Sequence, residues 1–381
     1  MHGIEWLGLW SVNRPAYLVI LIFLTNASHP STKLSCQPPK PLPPTHIFPT
    51  ILLEALVTEA FSSTFARQMG VRLLDTFHLG KPGIIGAVLV ETQNGLLLFD
   101  TGPESTFANL SNEFRKAGRA IEDVGDVFLS HIHFDHAGAA WRFAELGATI
   151  YVHPRGAPHL IDPNKLIDSA TRIYGDQMER LWGRFGPVAE QRIRIMNDGD
   201  VVRIPPFEVR AIATPGHANH HNAYQWEDNL FGGDITGVQM GGGPPVPPFV
   251  PPELQVESWL ESIEKIRSLK AKRLYLPHFG VIEGAISAHL DALAERIRCW
   301  AKWFRDRMRA GQNQEELIPA FRAFLAEELR AAGASETEVL DYEHADPSFM
   351  AVSATLRYWR KYHPEEVNAE RDSNALMTLR T

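Results

Sequence analysis

Cysteine is almost missing from this chain: two residues, Cys36 and Cys299, occur in 381. Thiols so far apart make no disulfide framework, which leans toward a reducing compartment. Neither lies near a cluster of other metal-binding side chains. A basic cluster is lacking too, and the net charge of −8 argues against a nucleic-acid partner. The apolar run over residues 16–24 is too short to span a bilayer, so no stable membrane association is expected. No internal repeat is visible. What is present is a 44% apolar composition over a length that suits one large α/β domain and an appendage.

Histidine carries the main signal. The run Ser130-His131-Ile132-His133-Phe134-Asp135-His136-Ala137-Gly138 packs four metal-binding side chains together, directly after the apolar stretch Asp126-Val127-Phe128-Leu129. At a strand end His131 and His133 project to one side, because side chains alternate along extended backbone. Asp135 and His136 fall in the turn that follows and can face a second ion. Imidazole nitrogen and carboxylate oxygen suit a borderline-soft, zinc-like cation. Four such groups are too few for two metals, so further ligands are expected at distant strand ends. Three candidates qualify: His217 in Thr214-Pro215-Gly216-His217, Asp234 in Phe231-Gly232-Gly233-Asp234, and His278 in Leu276-Pro277-His278-Phe279-Gly280. Each follows an apolar strand and is flanked by Gly or Pro.

These motifs in this order, with Leu96-Leu97-Leu98-Phe99-Asp100-Thr101-Gly102 upstream, resemble the metallo-β-lactamase superfamily of hydrolases. The resemblance covers about residues 69–284. Its finer texture is similar to a branch of archaeal and bacterial members, through Asp100-Thr101-Gly102-Pro103-Glu104-Ser105, Tyr151-Val152-His153-Pro154-Arg155-Gly156 and His159-Leu160-Ile161-Asp162-Pro163. The fold it implies is α/β, an αββα four-layer sandwich, followed here by a helical C-terminal appendage.

Carried over position by position, the resemblance implies a two-metal site. His131, His133 and His217 hold one ion, Asp135, His136 and His278 hold the other, and Asp234 bridges them. Asp100 orients a ligand histidine, and Asp135 shuttles a proton to the leaving group. The full set is similar to dizinc members such as glyoxalase II and the lactonases. It departs from the antibiotic-cleaving β-lactamases, many of which place Cys where this chain has Asp234. Two zinc ions are implied, although iron or manganese satisfies the same donors. A hydroxide between two such ions, about 3.5–4 Å apart, attacks a carbonyl at neutral pH. The expected reaction is therefore hydrolysis of an ester, lactone or thioester in a small molecule. The alternatives are an iron-dependent oxidoreductase of the persulfide dioxygenase kind on the same ligands, or a non-catalytic metal-bound scaffold. No flavodoxin-like or rubredoxin-like partner domain accompanies the site, which disfavours a diiron oxygen reductase.

Two segments are expected to wall a pocket. The Gly- and Pro-rich stretch 237–252 forms neither helix nor central strand and suits a lid, with Met240, Phe249 and Val250 lining it. An inserted helical stretch over 162–185 offers Tyr174 and Trp182 to the substrate. His220 and His221 are read as supporting or loop-packing residues, and His153 and His159 as packed ones. Strands are expected over 85–91, 95–100, 126–130, 149–153, 208–214, 222–226 and 273–276, with a short one before Asp234.

The domain reading is an extension over 1–68, a hydrolase domain over 69–284, a helical segment over 285–365 and a frayed tail over 366–381. In the helical segment Ile286, Leu290, Leu293, Ile297, Trp300, Phe304 and Met308 form an amphipathic stripe ended by Gly311. Asn313 with Glu316 caps a second helix, and 347–362 makes a third. These helices pack on the hydrolase domain or form a homodimer interface. In the extension, 16–24 resembles a signal-peptide core and 37–49 a disordered Pro-rich tract. The resemblance begins near Met69, so the expected protein starts there and is cytoplasmic, or is secreted if the signal-like segment is real.

Overall fold

The computed structural model describes residues 70–368, so the signal-like segment, the Pro-rich tract, Met69, Cys36 and the tail beyond 368 lie outside it. Twelve strands form two six-stranded sheets. In the first, β1 (Val71–Asp75), β2 (Gly86–Thr92) and β3 (Gly95–Phe99) run antiparallel, and β4 (Val124–Phe128), β5 (Thr149–Val152) and β6 (Ile193–Ile195) continue in parallel. The second follows the order β12-β11-β10-β9-β8-β7. Its strands are β7 (Val201–Ile204), β8 (Phe207–Ala213), β9 (Asn222–Trp226), β10 (Asn229–Phe231), β11 (Arg273–Leu276) and β12 (Gly280–Glu283).

Period-two alternation explains the layering. On β3, Leu97 and Phe99 face the second sheet, while Leu96 and Leu98 face outward to helices. Both faces are therefore covered, and the strand reads as a continuous apolar run. Between the sheets Phe99 stacks on Trp226 at 4.6 Å and Phe128 on Tyr151 at 4.2 Å. Helices α1 (Phe107–Lys116), α2 (Phe134–Ala137) and α3 (Ala140–Glu145) cover the first sheet through Phe114, Phe134 and Phe143. Three further short helices, α4 (Ala157–Ile161), α5 (Asn164–Tyr174) and α6 (Met178–Trp182), make up the insert. Helices cover the outer face of each sheet, giving four αββα layers.

Helix α7 (Val256–Ser268) and the C-terminal helices pack on the second sheet. These are α8 (Ile286–Arg309), α9 (Gln314–Ala331), α10 (Glu336–Ala345) and α11 (Ser348–Tyr362). The stripe Leu290, Leu293, Ile297, Trp300 and Phe304 shares one core with Leu230, Leu274 and Leu276 of the sheet. The capping box of Asn313 and Glu316 starts α9 as expected, and a second one, Ser335 with Glu338, starts α10. Cys299 is buried on α8. Among the described residues no helix is long and apolar enough to cross a membrane.

The C-terminal helices also hold the Gly- and Pro-rich loop. Arg296, 1% exposed, donates to the Pro245 carbonyl at 2.7 Å and to Glu328 at 3.0 Å. The Trp300 indole donates to the same Glu328, and the Tyr342 hydroxyl to the Pro244 carbonyl. The loop thus satisfies part of its polar backbone against these side chains and part through the Val238–Val246 backbone bridge. Removing one partner of a buried ion pair leaves an uncompensated charge, at about 3–5 kcal/mol. Glu328→Ala should therefore lower unfolding stability by about 3 kcal/mol or more, read by denaturant titration.

Candidate metal centre

Every candidate ligand follows the C-terminal end of a strand. Asp100 follows β3, the histidine run follows β4, His217 follows β8, Asp234 follows β10 and His278 follows β11. All seven expected metal ligands come together. His131 Nε2 lies 2.8 Å from His133 Nδ1, and His217 Nε2 lies 3.0 Å from that same atom. A second triad forms beside them. Asp135 Oδ2 is 3.3 Å from His136 Nε2 and 3.4 Å from His278 Nε2, and the two ring nitrogens are 3.3 Å apart.

Asp234 stands between the triads and turns one oxygen to each. Its Oδ2 is 3.3 Å from His217 Nε2 and 3.9 Å from His131 Nε2. Its Oδ1 is 3.2 Å from His136 Nε2 and 3.5 Å from His278 Nε2. That Oδ1 is buried with no hydrogen-bond donor.

The tautomers explain why these contacts matter. A neutral imidazole has one N–H, and four of the five rings spend it on the protein. His131 Nδ1 meets Ser130 Oγ at 3.0 Å, His136 Nδ1 meets Asp100 Oδ2 at 2.7 Å, His217 Nδ1 meets the Pro248 carbonyl at 2.8 Å and His278 Nδ1 meets the Ile84 carbonyl at 2.8 Å. The opposite nitrogens are left as bare acceptors, and they converge on one another and on carboxylate oxygens. The one uncommitted N–H among the five rings, that of His133, can serve a single contact, so the remaining convergent acceptors suit a cation.

The electrostatics agree. Burial, then the surrounding imidazoles, holds His131 well below the usual histidine range; the same causes bring His133 to about 3. Both rings are therefore neutral, with lone pairs free. At His136 burial pushes down, but Asp135, Asp234 and Asp100 outweigh it and lift the ring well above its usual value. The field at its ring favours positive charge. Asp234 is pushed up by burial, yet His136, His278 and His217 hold it below the ordinary carboxylate range. Buried charges on this scale are paired or coordinate metals, and the donor set of imidazole and carboxylate fits such ions.

Two backbone features make the convergence possible. Asp100 sits at φ 55° and accepts from Ser130 N and Ser130 Oγ at 2.7 Å each, besides His136. Asp tolerates this left-handed conformation better than most residues. Gly233, at φ 58°, has room for no side chain: a Cβ there would lie 2.5 Å from His221 Nε2 and 2.7 Å from Ser130 Cβ. The turn after it is tied down by Trp259 Nε1 on the Ile235 carbonyl at 2.7 Å.

Above the centre opens a cavity of about 540 Å³. Tyr174 and Trp182 line it, as do Val250, His220 and His159. Met240 and Phe249 do not. Met240 is 2% exposed and Phe249 is fully buried, packed on Trp259 and Trp300, so both belong to the core. The error has a simple cause: the apolar members of the loop turn toward the C-terminal helices, leaving Pro248 and 250–253 on the cavity side. His221 packs in the loop through Thr214 at 2.8 Å. Sequence reasoning missed His78 and the stretch 344–350, which supply the rest of the wall. A lone histidine and a helix junction carry no periodic signal, so nothing in the local pattern marks them.

A model of the family "Metallo-beta-lactamase superfamily" matches residues 80–278, just over half of the chain. The chain belongs to the metallo-β-lactamase superfamily. It is similar to a metallo-beta-lactamase fold-containing protein of Sulfurisphaera tokodaii, 25% identical over 205 residues, covering 52% of this chain and 75% of that one. It is also similar to an atrochrysone carboxyl ACP thioesterase of Aspergillus fumigatus, 27% identical over 200 residues, covering 49% of this chain and 48% of the relative. The chain thus spans about half the length of that fungal relative. The crystal structure of an archaeal superfamily protein from Sulfolobus tokodaii matches with a TM-score of 0.50 at 23% identity, over 58% of this chain and 85% of the other, which supports the shared fold.

Because Asp100 orients His136 and fixes Ser130, Asp100→Asn keeps the backbone but presents an amide N–H to one of three donors. Metal affinity should fall by about 10–100-fold, measured by competition with a chromophoric chelator. Unchanged affinity would show that Asp100 does not position the ligands.

Proposed function

We propose that this chain is a binuclear zinc hydrolase that cleaves a thioester or ester bond of a small molecule. The observation that carries the reading is Asp234, one oxygen turned to each triad, with Oδ1 buried and unpaired. His131, His133 and His217 would hold one ion, Asp135, His136 and His278 the other, with Asp234 shared. When bound, two such ions supply an activated water at neutral pH and polarise the scissile carbonyl. The imidazole-carboxylate set suits zinc within the rules of ligand softness. The likeness to the Aspergillus fumigatus thioesterase favours a thioester among the carbonyl substrates.

The chain's own residues do the rest. Asp100, Ser130 and the Pro248 and Ile84 carbonyls fix ring orientation, so the ligand set is held before any ion enters. The Asp135 side chain is 21% exposed and lines the cavity, so its carboxylate can take the proton released by the attacking water and pass it to the departing sulfur or oxygen from the cavity side. The apolar walls exclude bulk water from the reacting bond.

Metal analysis of protein loaded with zinc should give two equivalents per chain. Chelation should abolish turnover of a panel of thioesters and aryl esters, and zinc should restore it. Asp234→Ala should lower kcat/KM by about 10³-fold or more, the worth of several kcal/mol of charge stabilisation, while the thermal melt is kept. A fully active Asp234→Ala variant, or tightly held iron with oxygen-dependent turnover, would overturn the reading.

A further inference from the structure

The far wall of the cavity comes from the C-terminal segment, at the junction of α10 and α11. Asp346 lies there, 3% exposed, and its Oδ1 is buried without a hydrogen-bond partner. Trp182 and His78 line the same cavity, and each also carries a buried atom without a partner, the indole Nε1 and Nδ1. Buried polar atoms are nearly always paired, so three unpaired ones on residues of one cavity wall are polar groups with bonding capacity to spare. Trp182 Nε1 is a donor only and so needs an acceptor, while the Asp346 carboxyl pairs with a group that can donate or accept. A hydroxyl offers both.

The rest of the wall says what carries that hydroxyl. His78 stacks on Trp182 with centroids 5.4 Å apart and planes at 11°, and Tyr174 meets Trp182 edge-on at 5.3 Å. Flat aromatic surfaces of this kind favour a planar ring by offset or edge-to-face contact. The volume of about 540 Å³ fits a ligand of two or three rings. Among the described residues, Lys165 is the one Lys or Arg on the wall, and it is exposed. A carboxylate or phosphate at the far end of the substrate would find no buried cation there, and would face Asp346 instead.

We propose that Asp346, with Trp182 and His78, selects substrates whose acyl group is an uncharged ring system bearing a hydroxyl. Burial, with Glu343, Asp234 and Asp135 nearby, raises the Asp346 carboxyl well above its usual range, so it also offers an O–H donor to the same hydroxyl. This rests on the hydrolase reading for the orientation of the substrate, but the recognition itself needs only the cavity.

The test uses the full-length, zinc-loaded protein and three probes: p-nitrophenyl acetate, which reaches only the metal centre, and the N-acetylcysteamine thioesters of 2-naphthoate and 6-hydroxy-2-naphthoate. A site built to hydrogen-bond a hydroxyl discriminates strongly against the analogue lacking it. The wild type should prefer the hydroxylated thioester by about tenfold or more in kcat/KM. Asp346→Ala should erase that preference through KM while p-nitrophenyl acetate turnover stays within about twofold. Asp346→Asn, which keeps the volume and one acceptor, should retain part of the preference and the melting profile. Equal wild-type kcat/KM for the two thioesters, or a parallel loss on all three probes in both variants, would overturn the proposal. If no ester is cleaved at all, the hydrolase reading fails. The selection is then decided by calorimetric binding of 6-hydroxy-2-naphthamide against 2-naphthamide: tighter binding of the former, lost in Asp346→Ala, supports it, and equal or absent binding sinks it.

Discussion

Acceptor atoms facing acceptor atoms are the constraint on which the rest of this structure depends. Four ring nitrogens have their protons committed elsewhere, and they meet a fifth ring and two carboxylates in one buried space. Left to themselves such groups repel or take up protons. A divalent cation resolves both problems at once, since it satisfies lone pairs and neutralises buried carboxylates together. The polar contacts at the Nδ1 atoms are therefore as much a part of the centre as the ligands, because they decide which nitrogen stays bare.

The sandwich serves that convergence by ending five of its strands on one region. Loops from both sheets must meet with side chains already interleaved, and the backbone has to pass close by. Gly216 is the clearest case: a Cβ would lie 2.4 Å from the Trp259 Cα, so only glycine lets α7 approach the turn that presents His217. Gly233 plays the same part for Asp234. The Gly- and Pro-rich loop, which would be floppy in isolation, becomes rigid because buried Arg296 and Tyr342 donate to its backbone and His289 bonds the Gln239 side chain. Site and appendage are mechanically one piece.

Much of this was legible in the sequence for reasons that are physical. The inner strands, with both faces covered, read as unbroken apolar runs, and they appear close to where they were expected. The strands that went unread, β1, β6, β7 and β12, are the four sheet edges. Their residues are partly exposed, so hydropathy neither runs nor alternates cleanly; β6, for instance, buries only Ile193. Helix α10 escaped for a similar reason: Tyr342 is its single buried residue, so no apolar stripe marks it. The ligands were readable because imidazole and carboxylate cluster rarely. The pocket wall was not, because which side of a loop turns inward depends on a partner helix far away in sequence. Phe249 faces Trp300 for that reason, and no local pattern around Phe249 contains it.

That asymmetry divides the molecule into a part that gathers the candidate ligands and a part that walls the cavity. The strand-end loops fix the candidate ligands through short-range hydrogen bonds, with little freedom to vary without disturbing their convergence. The insert and the junction of α10 and α11 line the cavity without supplying a ligand, so their side chains can change what fits without disturbing the centre. Asp346 shows the coupling that remains. It lies far along the chain from the last metal ligand, His278, yet its carboxyl feels Asp234 and Asp135. Asp135, Asp234 and Asp346 line one cavity, and so the helical segment, though it supplies none of the candidate ligands, shapes the space above them.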